Sequence, residues 1–289
     1  MSTSIAYFIL AHSCVRQTIR LLKALYNPKD QFVLHVDKRS CPKVLDDLRE
    51  ATKGLENFSL ISTRLCSWGG LSLVDATLDM MSLALQGKTS WSHGIILSGT
   101  HLPLWSPNKI RDWVQDGQSI MSWHQLPDGE CPRWLEGLAE RVEWEYVEHL
   151  GRGMVKTNAV QRPNFPYFKG SQWSILAKEH VNFVVGSAGS EIERRLRITN
   201  IPDESYFQTI LLNSDYSKFC IQGNITQFKW VSGASSPSIL DFDQLSEMAR
   251  NRDKPFIRKI DNDLGDEKRV VDLLEMIYGH KLSLQVNCN

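Results

Sequence analysis

Two periods of apolar character take turns along the first hundred residues. Continuous apolar runs, "IAYFIL" (5–10), "FVLHV" (32–36), "FSLIS" (58–62) and "GIILS" (94–98), predict buried strands. Between them, apolar residues fall three and four apart. Val15, Ile19, Leu22 and Leu25 with Tyr26 share one helical face, and that pattern stops at Asn27-Pro28. Residues 42–53 form a second amphipathic stretch ending at Gly54, and residues 72–85 a third, opened by Gly69-Gly70. Strands and helices alternating at this spacing predict βαβ units and a largely parallel sheet. Such sheets bind ligands at the carboxyl ends of their strands, which is where "HVDKRS" (35–40) and "SGTHLP" (98–103) stand.

From about residue 118 the pattern loosens. "SWHQLPDGECPRW" and "LGRGMVKTNAVQRPNFPYFKGSQW" are rich in Gly, Pro, Trp and polar residues, and both read as long functional loops. Helices return at 177–185, 191–197 and 205–212. No repeat or linker marks a boundary, so residues 1–289 read as one α/β domain.

Composition narrows the function classes. The chain carries 33 basic and 33 acidic side chains, so net charge gives no reason to expect a nucleic-acid partner. No apolar run reaches the roughly twenty residues of a membrane span, and "MSTSIAYFIL" lacks the basic start of a secretion signal. The six cysteines are scattered without a CxxC pair, which argues against a zinc cluster and for reduced thiols in a cytoplasmic setting.

The chemistry is reached partly by exclusion. "AHSCVR" follows the first strand where a dinucleotide fold has GxGxxG, and neither a phosphate loop nor a GxSxG nucleophile turn is present. The acidic pairs "DFD" (241–243) and "DND" (261–263) come late; the first precedes "QLSEMAR" and reads as a helix cap. A metal-free site is therefore expected, with cations from side chains. "FIRKID" (256–261) places Arg258 beside Lys259. On a strand the two would point to opposite faces, so a kink or loop is needed for both to meet one ligand. In "NIPDESYFQTILLN" (200–213), Asp203 reads as a helix cap and Glu204 as a first-turn acid or a general base. His12, at the first strand end, reads more readily as a core histidine.

Seven segments then occur in order: "HVDKRS", "WGGLSLV", "LSGTHLPL", "FKGSQWSILAKEHV", "PDESYFQTILLNS", "KWVSGASSP" and "FIRKID". Together they resemble the core-2/I-branching glycosyltransferases, nearest the peptide O-xylosyltransferase end, over about residues 4 to 262. The resemblance implies a GT-A-like fold with a mixed, mainly parallel sheet flanked by helices. It also implies an inverting, metal-independent transferase acting on a UDP-sugar, with UDP-GlcNAc or UDP-xylose foremost. Residues 1–120 then form a nucleotide-binding half, 121–262 an acceptor and catalytic half, and 263–289 a C-terminal tail.

By the same resemblance, Glu204 falls on the catalytic base. Asp37 and Arg39 fall at the nucleoside, Ser67 and Trp68 beside the donor, and Ser236, Arg258 and Lys259 at the diphosphate. Two positions depart from the relatives: Gln172, a donor-side position, stands where xylosyltransferases carry an acidic residue that meets the donor sugar, and His101 where an Asp is usual. Trp123, Arg133 and His101 are the acceptor-side candidates, with core packing and a surface charge as equal readings for Trp123 and Arg133. The expected partners are a UDP-sugar and a glycan or lipid-linked acceptor, as in bacterial surface-polysaccharide synthesis. Loose association with the inner face of a membrane suits such an acceptor. No cofactor is expected. The competing reading is a non-catalytic nucleotide-sugar or glycan-binding module on the same fold.

Overall fold

The computed structural model describes residues 4–114, 117–127, 136–150, 152–234, 236–262, 264–265 and 267–279. In chain order the first half runs β1 (Ile5–Ala11), α1 (Val15–Leu25), β2 (Gln31–Val36), α2 (Pro42–Ala51), β3 (Phe58–Ile61), α3 (Leu71–Gln86), β4 (His93–Ser98), β5 (Leu102–Pro103) and α4 (Pro107–Trp113). Then follow β6 (Ser119–Met121), β7 (Trp123–Gln125), α5 (Glu136–Glu143), β8 (Trp144–His149), β9 (Gly153–Ala159), β10 (Phe168–Gly170) and β11 (Ile175–Ala177). The chain closes with α6 (Lys178–Gly186), α7 (Glu191–Leu196), α8 (Tyr206–Leu212), β12 (Cys220–Gln222), β13 (Thr226–Gln227), α9 (Phe242–Met248), β14 (Phe256–Ile257) and α10 (Glu267–Tyr278).

The main sheet has seven strands in the order β12-β6-β11-β4-β1-β2-β3. β11 runs antiparallel to both of its neighbours, and every other pair is parallel. This is the mixed, mainly parallel sheet expected from the sequence. β1, β2 and β4 are buried along their whole length, which is why they read as unbroken apolar runs. Tyr7, Phe32 and Phe58 sit in register on β1, β2 and β3, and their rings stack at 4.9 and 6.4 Å. From β1 the chain moves outward to β2 and β3, then returns to the other side of β1 as β4. The carboxyl ends of β1 and β4 therefore form a topological switch point, the standard place for a crevice.

Two expectations are corrected. The stretch from residue 150, read as a loop, supplies β9, which pairs with β8 in an antiparallel hairpin. Much of it is half-buried or exposed, so it lacks the strong period-2 signal of a core strand. The segment after residue 262, set apart as a tail, contains α10, whose Val270, Leu273, Leu274 and Ile277 join a second apolar core with Leu102, Leu104, Leu245 and Ile257. Buried Arg20 on α1 holds this helix through Glu267, its Nε donating at 2.9 Å. As expected, Asp241 caps α9, in a reciprocal box with Gln244.

The amino end of the sheet is closed by charge. Asp30 accepts from the Ile5 backbone N–H at 2.9 Å and pairs with Arg111 of α4. Burial raises the Asp30 pKa while Arg111 opposes that rise. Cys14, Cys41, Cys66 and Cys220 are free thiols; Cys131 and Cys288 lie outside the described residues.

Candidate active site

At the switch point lies a cleft of about 650 Å³, within the usual size of a small-ligand site. Its floor includes Leu10, Ala11 and His12 after β1 and Ser98 and Thr100 after β4. Glu204 and the eight residues expected around a donor (Asp37, Arg39, Ser67, Trp68, Gln172, Ser236, Arg258 and Lys259) all line this one cleft.

The β2 end builds one wall. Asp37 accepts from the backbone N–H groups of Arg39 at 2.9 Å and Cys66 at 3.2 Å, and from the Arg39 guanidinium at 3.0 Å. His35 Nε2 accepts from the Arg64 N–H, and burial lowers its pKa, so it stays neutral at neutral pH. The next wall is the Trp-Gly-Gly turn into α3. Trp68 is 65% exposed at the cleft mouth. Behind it, Ser72 Oγ accepts from the Ser67 N–H, and Glu148 of β8 accepts from both the Ser72 N–H (2.8 Å) and its hydroxyl (2.5 Å). Gly70 allows this: a Cβ there would collide with the Glu148 carboxylate. The hairpin thus caps α3 from outside and fixes the turn that carries Ser67 and Trp68.

The opposite wall comes from β10 and the turn before α8. Gly170 passes so close to the Ser122 carbonyl that a Cβ would overlap it. Lys169, Ser171 and Gln172 then face the cleft. Ile201 adopts the left-handed conformation (φ 49°, ψ 59°), rare for a β-branched residue, and starts the short 3-10 turn Pro202–Glu204. Glu204 is about one-third exposed, with Arg141 Nη1 at 2.9 Å and Lys169 Nζ at 3.6 Å. Asp203 makes no capping bond and is a buried cleft residue instead, a correction to its reading as a helix cap. Desolvation, with the negative charge of Glu204 beside it, pushes its pKa up to about 7.

The cationic pair closes the site. β14 ends at Ile257, so Arg258 and Lys259 follow the strand rather than alternate within it, and both line the cleft. The Arg258 guanidinium lies 4.6 Å over the Trp173 ring, a cation–π contact. Burial pushes its pKa down to about 10, with Asp203 opposing, so it remains charged at neutral pH.

Three expectations on the acceptor side end differently. His101 is fully buried: Nδ1 accepts from the Ser98 N–H at 3.0 Å, and its ring packs edge-on to Trp173 and Phe256. It supports the floor under Arg258, and the cleft lining does not include it. Burial and the nearby Arg258 charge lower its pKa, so it adds no charge beneath the guanidinium. Trp123 packs half-buried against the main core, and its neighbours Ser122 and His124 line the cleft in its place. Arg133 lies outside the described residues. His12, read as a core histidine, is exposed within the cleft.

Sequence reasoning missed Asp203, Arg141, Lys169 and Trp173. It also passed over Trp230, 51% exposed and edge-on to Phe228 at 5.9 Å, both of them lining the cleft. An exposed Trp inside the quoted segment "KWVSGASSP" was the available signal.

A family model described as "Core-2/I-Branching enzyme" matches residues 5–251. The chain belongs to this family. Arg258 and Lys259 lie just beyond the matched span. A "Xylosyltransferase" of Ciona intestinalis is 28% identical over 234 residues, covering 78% of this chain and 27% of that protein. "Xylosyltransferase 2" of Mus musculus is 28% identical over 238 residues, covering 78% and 26%. The chain thus spans about a quarter of the length of these core-2/I-branching relatives. Among solved structures, S. aureus TarS 1-349 aligns with a TM-score of 0.43 and 8% identity, covering 95% of this chain and 64% of that one.

Proposed function

We propose that this core-2/I-branching protein is an inverting, metal-independent glycosyltransferase. It moves a sugar from a UDP-sugar, UDP-GlcNAc or UDP-xylose foremost, to a hydroxyl of a glycan or lipid-linked oligosaccharide acceptor in surface-polysaccharide synthesis. The observation that carries this reading is the meeting of a part-exposed carboxylate, Glu204, with Arg258 and Lys259 in one cleft at the switch point of the sheet. No described helix is long and apolar enough to cross a membrane. A cytoplasmic setting, at the inner face of the membrane where the acceptor is lipid-linked, belongs to the same proposal.

The acceptor oxygen attacks the anomeric carbon while Glu204 takes its proton. The bond from that carbon to the diphosphate oxygen breaks, and UDP leaves with the electron pair. Arg258 and Lys259 neutralise the charge that grows on the diphosphate, the task a metal ion performs in other transferases. The guanidinium, 4.6 Å from the centre of the Trp173 ring, suits two phosphate oxygens at once, and the ammonium acts as a point charge. Arg141 and Lys169 flank the Glu204 carboxylate and hold it in place in the cleft.

Glu204→Gln is the decisive test. Transfer should fall about a hundredfold to ten-thousandfold while UDP binding persists. Turnover retained by that variant overturns the base assignment, and activity abolished by EDTA overturns metal independence. UDP binding by the wild type without transfer to any of a broad acceptor panel supports the binding-module alternative.

A further inference from the structure

We propose that Asp203 is a contact for the donor sugar. From the cleft wall it hydrogen-bonds a ring hydroxyl of the donor and selects a neutral, hydroxyl-bearing sugar over a uronic acid. This assignment rests on the UDP-sugar reading above and deepens it.

Among the described residues, the other buried carboxylates have hydrogen-bond or ion-pair partners. Asp30 is held by the Ile5 N–H and Arg111, and Asp37 by two backbone N–H groups and Arg39. Asp203 is only 7% exposed, yet its Oδ1 has no hydrogen-bond partner among the described residues. Leaving such an oxygen buried and unbonded is costly, and a fold keeps it for a reason. Among the described residues, the charged side chains with a buried, unpartnered atom are Asp203 and Arg258, and both line the cleft. Two neutral groups in the same state, Ser67 Oγ and Gln172 Nε2, also line it. Four separate segments therefore bring unsatisfied polar atoms to one space.

Chemistry divides these groups between the parts of a donor. Arg258 suits the diphosphate. A carboxyl group does not, because its ionised form repels phosphate. Asp203 adjoins Glu204 in sequence, so their Cα atoms stand about 3.8 Å apart. Glu204 acts at the anomeric carbon, which leaves Asp203 within reach of the same sugar ring. A hydroxyl both donates and accepts, so it bonds Asp203 whether that group is protonated or ionised. A uronate carboxylate would bring a further negative charge to a site that already holds the carboxyl groups of Asp203 and Glu204. Asp203 and Gln172 together would then supply the sugar contact for which xylosyltransferases use an acidic residue at position 172.

The test compares calorimetric affinities for UDP, UDP-GlcNAc, UDP-xylose and UDP-glucuronate in wild type and Asp203→Asn. UDP affinity should change less than about twofold, while the gain in affinity from the preferred sugar falls at least about tenfold. Discrimination against UDP-glucuronate should weaken in the same variant. A second measurement uses folded wild type throughout: one UDP-deoxysugar, lacking the contacted hydroxyl, should lose the same factor. That loss should not add to the loss in Asp203→Asn. Wild-type sugar discrimination in Asp203→Asn, or fully additive losses for every deoxysugar, overturns the assignment while leaving UDP binding intact. Wild type that binds no UDP overturns the donor reading itself and this assignment with it.

Discussion

The two ends of the same strands treat buried charge in opposite ways. At the amino end, Asp30 has both oxygens occupied, by the start of β1 and by Arg111. At the carboxyl end Asp37 is likewise satisfied, but Asp203 and Arg258, which line the cleft, each keep an unpartnered atom. Neutral unpartnered atoms occur at both ends, Tyr7 Oη and Gln31 Oε1 among them, so the contrast lies in the charged groups. A completed ion pair fixes geometry, whereas an incomplete one keeps its binding capacity for a ligand.

The largest expected effect comes from breaking the closed end. Arg111→Ala leaves the Asp30 carboxylate buried without its cation. Losing one partner of a buried pair costs about 3–5 kcal/mol, to be read from denaturant midpoints. A loss of under about 1 kcal/mol would mean the pair is not the closure it looks like. Opening the carboxyl end should act on rate instead. Arg258→Ala removes one preorganised cation and should lower kcat by about a hundredfold to a thousandfold with little change in thermal midpoint. Arg258→Lys should restore only part of it, because an ammonium cannot hold two oxygens in the planar fork of a guanidinium.

The pH dependence of stability sharpens the contrast. The Asp203 pKa is raised in the folded protein from 3.8 to about 7, so the folded state binds more protons than the unfolded chain across that window. Its contribution is therefore most favourable at low pH and is lost as pH rises towards 7. The groups acting on it are Glu204, which raises its pKa, and Arg141 and Arg258, which lower it. Between pH 5 and 8 this group alone should cost the wild type about 2–3 kcal/mol. Asp203→Asn should flatten that slope, and an unchanged slope would show that Asp203 is ionised throughout.

The core strands and their carboxyl ends were legible because their signals are local. A fully buried parallel strand is a continuous apolar run, and "HVDKRS" or "FIRKID" is polar where a strand stops. The rest depends on geometry that spacing does not encode. Pro202-Asp203-Glu204 has the composition of a helix start, and only the left-handed Ile201 turns Asp203 inward. Trp123 was one position from the cleft, and a three-residue strand gives too little alternation to fix which side chains face it. His101 sits in a ligand-rich motif but is consumed by Ser98 and Trp173. Arg141 reaches Glu204 from 63 residues away in the sequence.

Glu148 tests the boundary between the two kinds of end, since it is a satisfied carboxylate placed at the open one. Its oxygens are occupied by the Ser72 N–H and hydroxyl, and Ser72 in turn accepts from the Ser67 N–H. Glu148 does not line the cleft, so its role is to position Ser67 and Trp68. Glu148→Ala removes a helix cap and should cost about 1 kcal/mol of stability. If positioning matters, KM for the donor sugar rises several-fold while kcat changes little, because no group acting at the anomeric carbon has moved. Glu148→Gln still accepts from the Ser72 N–H and should recover most of both losses. A stability loss with KM unchanged would confine Glu148 to the closed, structural class of the Asp30–Arg111 pair.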